Sequence, residues 1–166
     1  MLVAVVSHGR SKMLEELAKS VTELLRAAGF RVVRNVVAQG EPTYIAQLVS
    51  NVSNDNEADA IVMLGGTGLG PRDNTCEALN SLFERRIEGF ADAYRSLLAG
   101  PRAMLTRATA GVFNGCLVFA LSGRPADVTR AVHEVIVPAL PEAVELATGR
   151  LRQYDARPSD VAPAPR

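Results

Sequence analysis

Asp59-Ala60-Ile61-Val62-Met63-Leu64-Gly65-Gly66-Thr67-Gly68-Leu69-Gly70-Pro71-Arg72-Asp73-Asn74 is the stretch on which the reading of this chain turns. Its first part is an unbroken apolar run, the mark of a strand covered on both faces. Asn74 is a candidate N-cap for the helix that follows, with Glu77 three residues later as its capping-box partner. Between strand and helix, four of six residues are glycine. Without Cβ atoms, backbone N–H groups can approach an anion closely and take up the dihedrals of an anion nest. The helix start adds free N–H groups and the positive end of its dipole. Thr67 brings a hydroxyl donor, and Arg72 a forked cation suited to phosphate oxygens. Asp73 sets a carboxylate beside the same anion, a conflict that a magnesium ion lying between them resolves. The turn therefore predicts nucleotide phosphate on Gly65, Gly66, Thr67 and Gly68, joined by Ser7 from the first strand, with Arg72 and Asp73 at the reaction and Asp73 on the metal.

A tight turn with no ligand is the plain alternative, but four glycines exceed what a bare turn requires. A Walker A loop fails because Pro71 and Arg72 stand where it has Lys and Ser/Thr. A dinucleotide fold fails because Pro71 takes the place of its third glycine.

On the N-terminal side, Leu2 to Val6 is a short buried strand ending in Ser7-His8-Gly9. Leu14, Leu17, Ala18, Val21, Leu24, Leu25 and Ala28 then recur at helical spacing, with Ser11 as N-cap and Gly29 as stop. Phe30 to Val37 is a second strand, and Glu41-Pro42 opens another helix with proline in its first turn. This alternation predicts an α/β fold around a mostly parallel sheet with helices on both faces. On the C-terminal side, Asn114-Gly115 divides two β-rich runs and suits a type I′ hairpin, so one strand should run against the rest. A helical stretch from about Asp127 to Thr148 follows, kinked or restarted by Pro138 and Pro141. The reading is one domain over residues 1–153, then a loose Pro-, Ala- and Arg-rich tail over 154–166.

The formal net charge of +0 excludes a bulk electrostatic footprint for nucleic acid or an anionic membrane, so phosphate binding must be local. Cys76 and Cys116 lack metal spacing and read as small buried residues in a reducing compartment. The apolar N-terminus is too short for a signal segment, which makes the cytoplasm the expected location. His8 reads as a solvent-exposed loop histidine, Arg85 and Arg86 as a solvated helix face, and Asp92 with Arg95 as a helical i, i+3 pair.

Gly65-Gly66-Thr67-Gly68 followed by Pro71-Arg72-Asp73-x-Thr75-x-Glu77-Ala78 resembles the signature of the MoaB/MogA family of molybdenum cofactor biosynthesis proteins. Gly89-Phe90 with Tyr94-Arg95, the segment Arg102-Ala103-Met104-Leu105-Thr106-Arg107-Ala108-Thr109-Ala110-Gly111, and Leu121-Ser122-Gly123-Arg124-Pro125 resemble three further family segments in the expected order. The resemblance implies a three-layer α/β/α sandwich with one antiparallel strand. It implies adenylylation of molybdopterin by magnesium ATP with release of pyrophosphate, and a homo-oligomer, a trimer or dimer of trimers. Thr106, Arg107 and Gly123 are then expected on the pterin side. The alternative expectation is a non-catalytic relative that binds pterin or nucleotide.

Overall fold

The computed structural model describes residues 1–9, 11–38, 41–54 and 57–149. The expected tail at 154–166 lies outside the described residues. The core is a six-stranded sheet. Its strands are β1 (Leu2–His8), β2 (Arg31–Ala38), β3 (Ala60–Leu64), β4 (Arg85–Arg86), β5 (Thr109–Phe113) and β6 (Cys116–Leu121). They lie in the order β2-β1-β3-β6-β5-β4. β1 pairs in parallel with β2 and β3, and β3 in parallel with β6. β5 is antiparallel to both β6 and β4 and is thus the one reversed strand. Asn114 and Gly115 join β5 to β6 with φ of 48° and 72°, the left-handed pair that a type I′ turn requires.

Apolar side chains fill both faces of the sheet. Val3, Val5, Val62, Leu64 and Leu121 pack against α1 (Lys12–Ala27), α4 (Glu88–Ser96), α5 (Pro125–Ala131) and α6 (Val137–Ala147). Ala4, Val6, Ile61, Met63 and Val118 pack against α2 (Pro42–Asn54) and α3 (Thr75–Asn80). The three-layer sandwich is therefore present, and the unbroken apolar run of β3 follows from it: every side chain from Ala60 to Leu64 is buried.

Local signals act as expected at α1, where Ser11 Oγ accepts the N–H of Leu14 at 3.2 Å. Gly29, at φ +87°, ends that helix. Three other expectations need correction. Arg85 and Arg86 form a short edge strand, not a helix face, because α3 stops at Asn80. Asn74 occupies the N-cap of α3 but makes no side-chain capping bond, and Glu77 pairs with Arg107 in place of the expected return bond to the cap. The C-terminal helical stretch does not restart but runs without a break from Pro125 to Ala147. A wide π turn over Val132–Ile136 joins α5 to α6 directly ahead of Pro138, where the proline ring and missing N–H forbid the ordinary ladder. No helix among the described residues is long and apolar enough to cross a membrane.

Candidate functional site

The chain leaves β1 toward β2 on one side and returns to β3 on the other. The carboxyl ends of β1 and β3 thus flank a topological switch point, where open α/β sheets place ligands. Two cavities open there, of about 360 Å³ and about 530 Å³. Asp73 and His8 line both.

The glycine turn lines the smaller one. Gly65 and Gly66 hold φ of +91° and +70°. Thr75, fully buried, donates its N–H to Gly66 O at 3.1 Å and its hydroxyl to Gly65 O at 3.1 Å. These bonds draw the carbonyls inward. Among the described residues, no protein acceptor engages the N–H groups of Gly66, Thr67 or Gly68. Gly65 differs from the expectation, since its N–H donates to Leu121 O at 2.9 Å and ties β3 to β6. Asp73 folds back on the turn, its Oδ2 accepting the Gly70 N–H at 2.8 Å. A Cβ on Gly68 would lie 2.6 Å from that oxygen and one on Gly70 2.8 Å, so small residues are what let the carboxylate sit there.

Arg107 holds the turn from behind. Its backbone N–H donates to Thr67 O at 3.0 Å and its Nε to Gly68 O at 2.9 Å. The remaining guanidinium nitrogens donate to Asp73 O and Glu77 Oε1. Arg107 was expected to face pterin; instead it neutralises carbonyl oxygens that would otherwise oppose an anion. Its hydrogen bond keeps the Glu77 carboxyl below the usual carboxylate range. The pair is therefore intact at neutral pH and is lost as pH falls through that lowered value. With the Arg107 side chain about one-third exposed, Arg107→Ala is expected to cost about 1–2 kcal/mol. It should also weaken anion binding roughly tenfold, read by thermal denaturation beside a nucleotide titration.

Residues 5–142 match the family described as "Probable molybdopterin binding domain". The chain belongs to this family. It is 31% identical over 146 residues to molybdenum cofactor biosynthesis protein B of Bacillus subtilis (strain 168), covering 86% of each chain. Among solved structures it resembles the molybdopterin biosynthesis enzyme MoaB of Thermus thermophilus, at 29% identity and TM-score 0.78, covering 89% of this chain and 96% of that one. A molybdopterin biosynthesis protein of Mycobacterium abscessus gives 32% identity and TM-score 0.74, covering 90% and 95%.

Within the family fold, the smaller cavity brings Gly66, Thr67, Gly68, Asp73, Thr106 and Gly123 together. A Cβ on Gly123 would come within 3.8 Å of Gly65 Cα, so the turn after β6 lies directly against the glycine turn. Arg72 lines the larger cavity. Ser7 lines neither; it is buried in β1, paired with Val37 and Leu64. His8 is half-buried rather than a free loop side chain. Its Nε2 lies 3.2 Å from Arg72 O, and because a carbonyl only accepts, that nitrogen carries the proton.

The sequence reading missed Arg102, Ser122, Arg124 and Asp127, which complete the smaller cavity. Arg102, Ser122 and Arg124 lie in segments that resemble the family's, but nothing in those segments gives their side chains a role, and Asp127 carries no motif. The 3₁₀ turn Gly100–Leu105, the turn after β6 and the start of α5 bring them to the cleft. The cleft suits magnesium in its donor chemistry. Asp73 and Asp127 offer hard carboxylate oxygens, and magnesium usually takes only one or two of these plus phosphate oxygens. No cluster of three or more His, Cys, Asp or Glu that could hold a metal occurs among the described residues. The two cysteines are free and buried. Burial pushes both thiols up to about 11. They stay protonated at neutral pH, so alkylation by iodoacetamide is expected to be negligible in the folded protein and rapid in denaturant.

Proposed function

We propose that this chain adenylylates molybdopterin with magnesium ATP and releases pyrophosphate. It acts in the cytoplasm as a homo-oligomer, a trimer or dimer of trimers, with molybdopterin and ATP as its small-molecule partners. One observation carries the reading: the unengaged amides of Gly66, Thr67 and Gly68 share a cleft with Asp73, at the switch point of a molybdopterin-binding fold.

The nucleophile is an oxygen of the terminal phosphate of molybdopterin. It bonds to the α-phosphorus of ATP, the bond to the oxygen bridging to the β-phosphate breaks, and pyrophosphate leaves with that electron pair. The nucleophile is already an anion, so no strong general base is needed. Catalysis is mostly alignment and charge neutralisation. The Gly66–Gly68 amides and the Thr67 hydroxyl bind phosphate oxygens, and the Arg72 guanidinium supplies positive charge from the adjoining larger cavity. Thr106 and the Gly123 turn form the pterin side. Asp73 holds the magnesium ion, which when bound offsets phosphate charge.

Incubation with molybdopterin and magnesium ATP tests this. Adenylylated pterin with equimolar pyrophosphate supports the enzyme. Binding of both compounds without product supports the non-catalytic relative and overturns the reaction.

A further inference from the structure

Tyr94 is wholly buried in α4, between the ring of Phe90 and the foot of β6. A buried phenol needs an acceptor for its proton. Ser122 Oγ is that acceptor, 2.8 Å away. Burial pushes the Tyr94 phenol up, so it stays protonated and remains a donor at every working pH. Ser122 Oγ also accepts the N–H of Arg124, at 3.3 Å. A serine hydroxyl has two acceptor positions and one donor. Tyr94 and Arg124 occupy the two acceptor positions, which leaves only the hydroxyl proton.

That proton has no protein acceptor among the described residues, and Ser122 lines the smaller cavity. The turn that carries it rests against Gly65, and Arg124 lines the same space. The same cavity is lined by Gly66, Thr67 and Gly68, whose amides no protein acceptor engages among the described residues, and by the carboxylates of Asp73 and Asp127, which suit a phosphate that arrives with a cation.

We propose that Ser122 is a ligand-binding residue, its hydroxyl held by Tyr94 and Arg124 as an obligate donor to a phosphate oxygen in the cleft. An ordinary serine hydroxyl turns to suit donors or acceptors alike. Here Tyr94 and the Arg124 amide remove that freedom, so the position favours an anionic oxygen and disfavours a donor group. The inference rests on the cleft binding phosphate, as in the function proposed above, but not on turnover.

The probes are inorganic pyrophosphate and the magnesium complex of α,β-methylene ATP, titrated by calorimetry into the intact protein, Ser122→Ala and Ser122→Thr. Loss of one hydrogen bond to a charged group predicts roughly tenfold or greater weakening of at least one probe in Ser122→Ala. Ser122→Thr, which keeps the hydroxyl, is expected to stay within about threefold of the parent. Thermal denaturation of each variant checks that the fold is retained, and Tyr94→Phe supplies a second arm. It frees one acceptor position without touching the cleft, so the hydroxyl can turn away, and affinity should fall by less than in Ser122→Ala. If the parent binds a probe and folded Ser122→Ala binds it equally well, the Ser122 assignment falls while the proposed function stands. If binding depends on the hydroxyl but no adenylylated pterin forms in the assay above, the proposed reaction falls while Ser122 stands. If the parent binds neither probe, both fall.

Discussion

Asp73→Asn is expected to fold normally and to form adenylylated molybdopterin at least about a hundredfold more slowly than the parent, of the order seen when one charge-stabilising group is removed. Asparagine has nearly the same shape, and its amide oxygen can still accept the Gly70 N–H that now lies 2.8 Å from Oδ2. The turn thus keeps its internal bond and the packing of the side chain over Gly68 and Gly70. What disappears is the negative charge. Without it, the magnesium ion of the proposed reaction would lose a carboxylate ligand, and the repulsion among phosphate oxygens would be less well offset. The signature is therefore specific: a melting temperature within a few degrees of the parent, retained binding of metal-free pyrophosphate, and lost turnover. A fully active Asp73→Asn would remove this carboxylate from the mechanism.

The sequence showed the architecture well wherever the signal was local. β3 announces its burial by having no polar residue, and Asn114-Gly115 marks the hairpin because few residue pairs accept two positive φ values. Ser11 and Gly29 bound α1 through groups within a few residues of each end. The glycine turn was legible for the same reason, since its conformation is set by residues that touch one another along the chain. What sequence reading could not supply was partnership across the fold. Arg107 lies 34 positions from Asp73 and 39 from Gly68, and nothing in its neighbours says that its guanidinium will hold their carbonyls. Gly65 looks like its neighbours in sequence, yet the arrival of β6 claims its N–H. β4 has only two residues and no apolar alternation, so pairing with Val112 and Gly111 alone makes it a strand. The π turn shows a different limit. Pro138 signals that the helix must change, but whether it kinks, restarts or widens depends on how α5 and α6 both reach the core.

Gly66→Ala is expected to have the larger structural effect, and the reason is geometric. The residue holds φ +70°, which costs an alanine on the order of 1–2 kcal/mol relative to glycine. Its Cβ would also meet Thr75 Oγ1 at 2.2 Å and the His8 ring at 2.9 Å. Thr75 cannot step aside cheaply, because it is fully buried and its hydroxyl donates to Gly65 O. Either that bond breaks, leaving a buried carbonyl short of a donor at about 1–3 kcal/mol, or the turn itself moves. Movement of the turn carries the amides of Gly66, Thr67 and Gly68 away from the cleft. Together these terms predict a loss of about 2–5 kcal/mol in stability, and binding of magnesium α,β-methylene ATP weakened roughly a hundredfold. Gly89→Ala is the matched control: the position lies in α4 with open space around an added Cβ, and alanine there favours the helix. Chemical denaturation and nucleotide titration of the two variants side by side measure both effects. Parent-like stability and affinity in Gly66→Ala would mean that the amide row is not held where the structure places it, and the proposed phosphate site would lose its foundation.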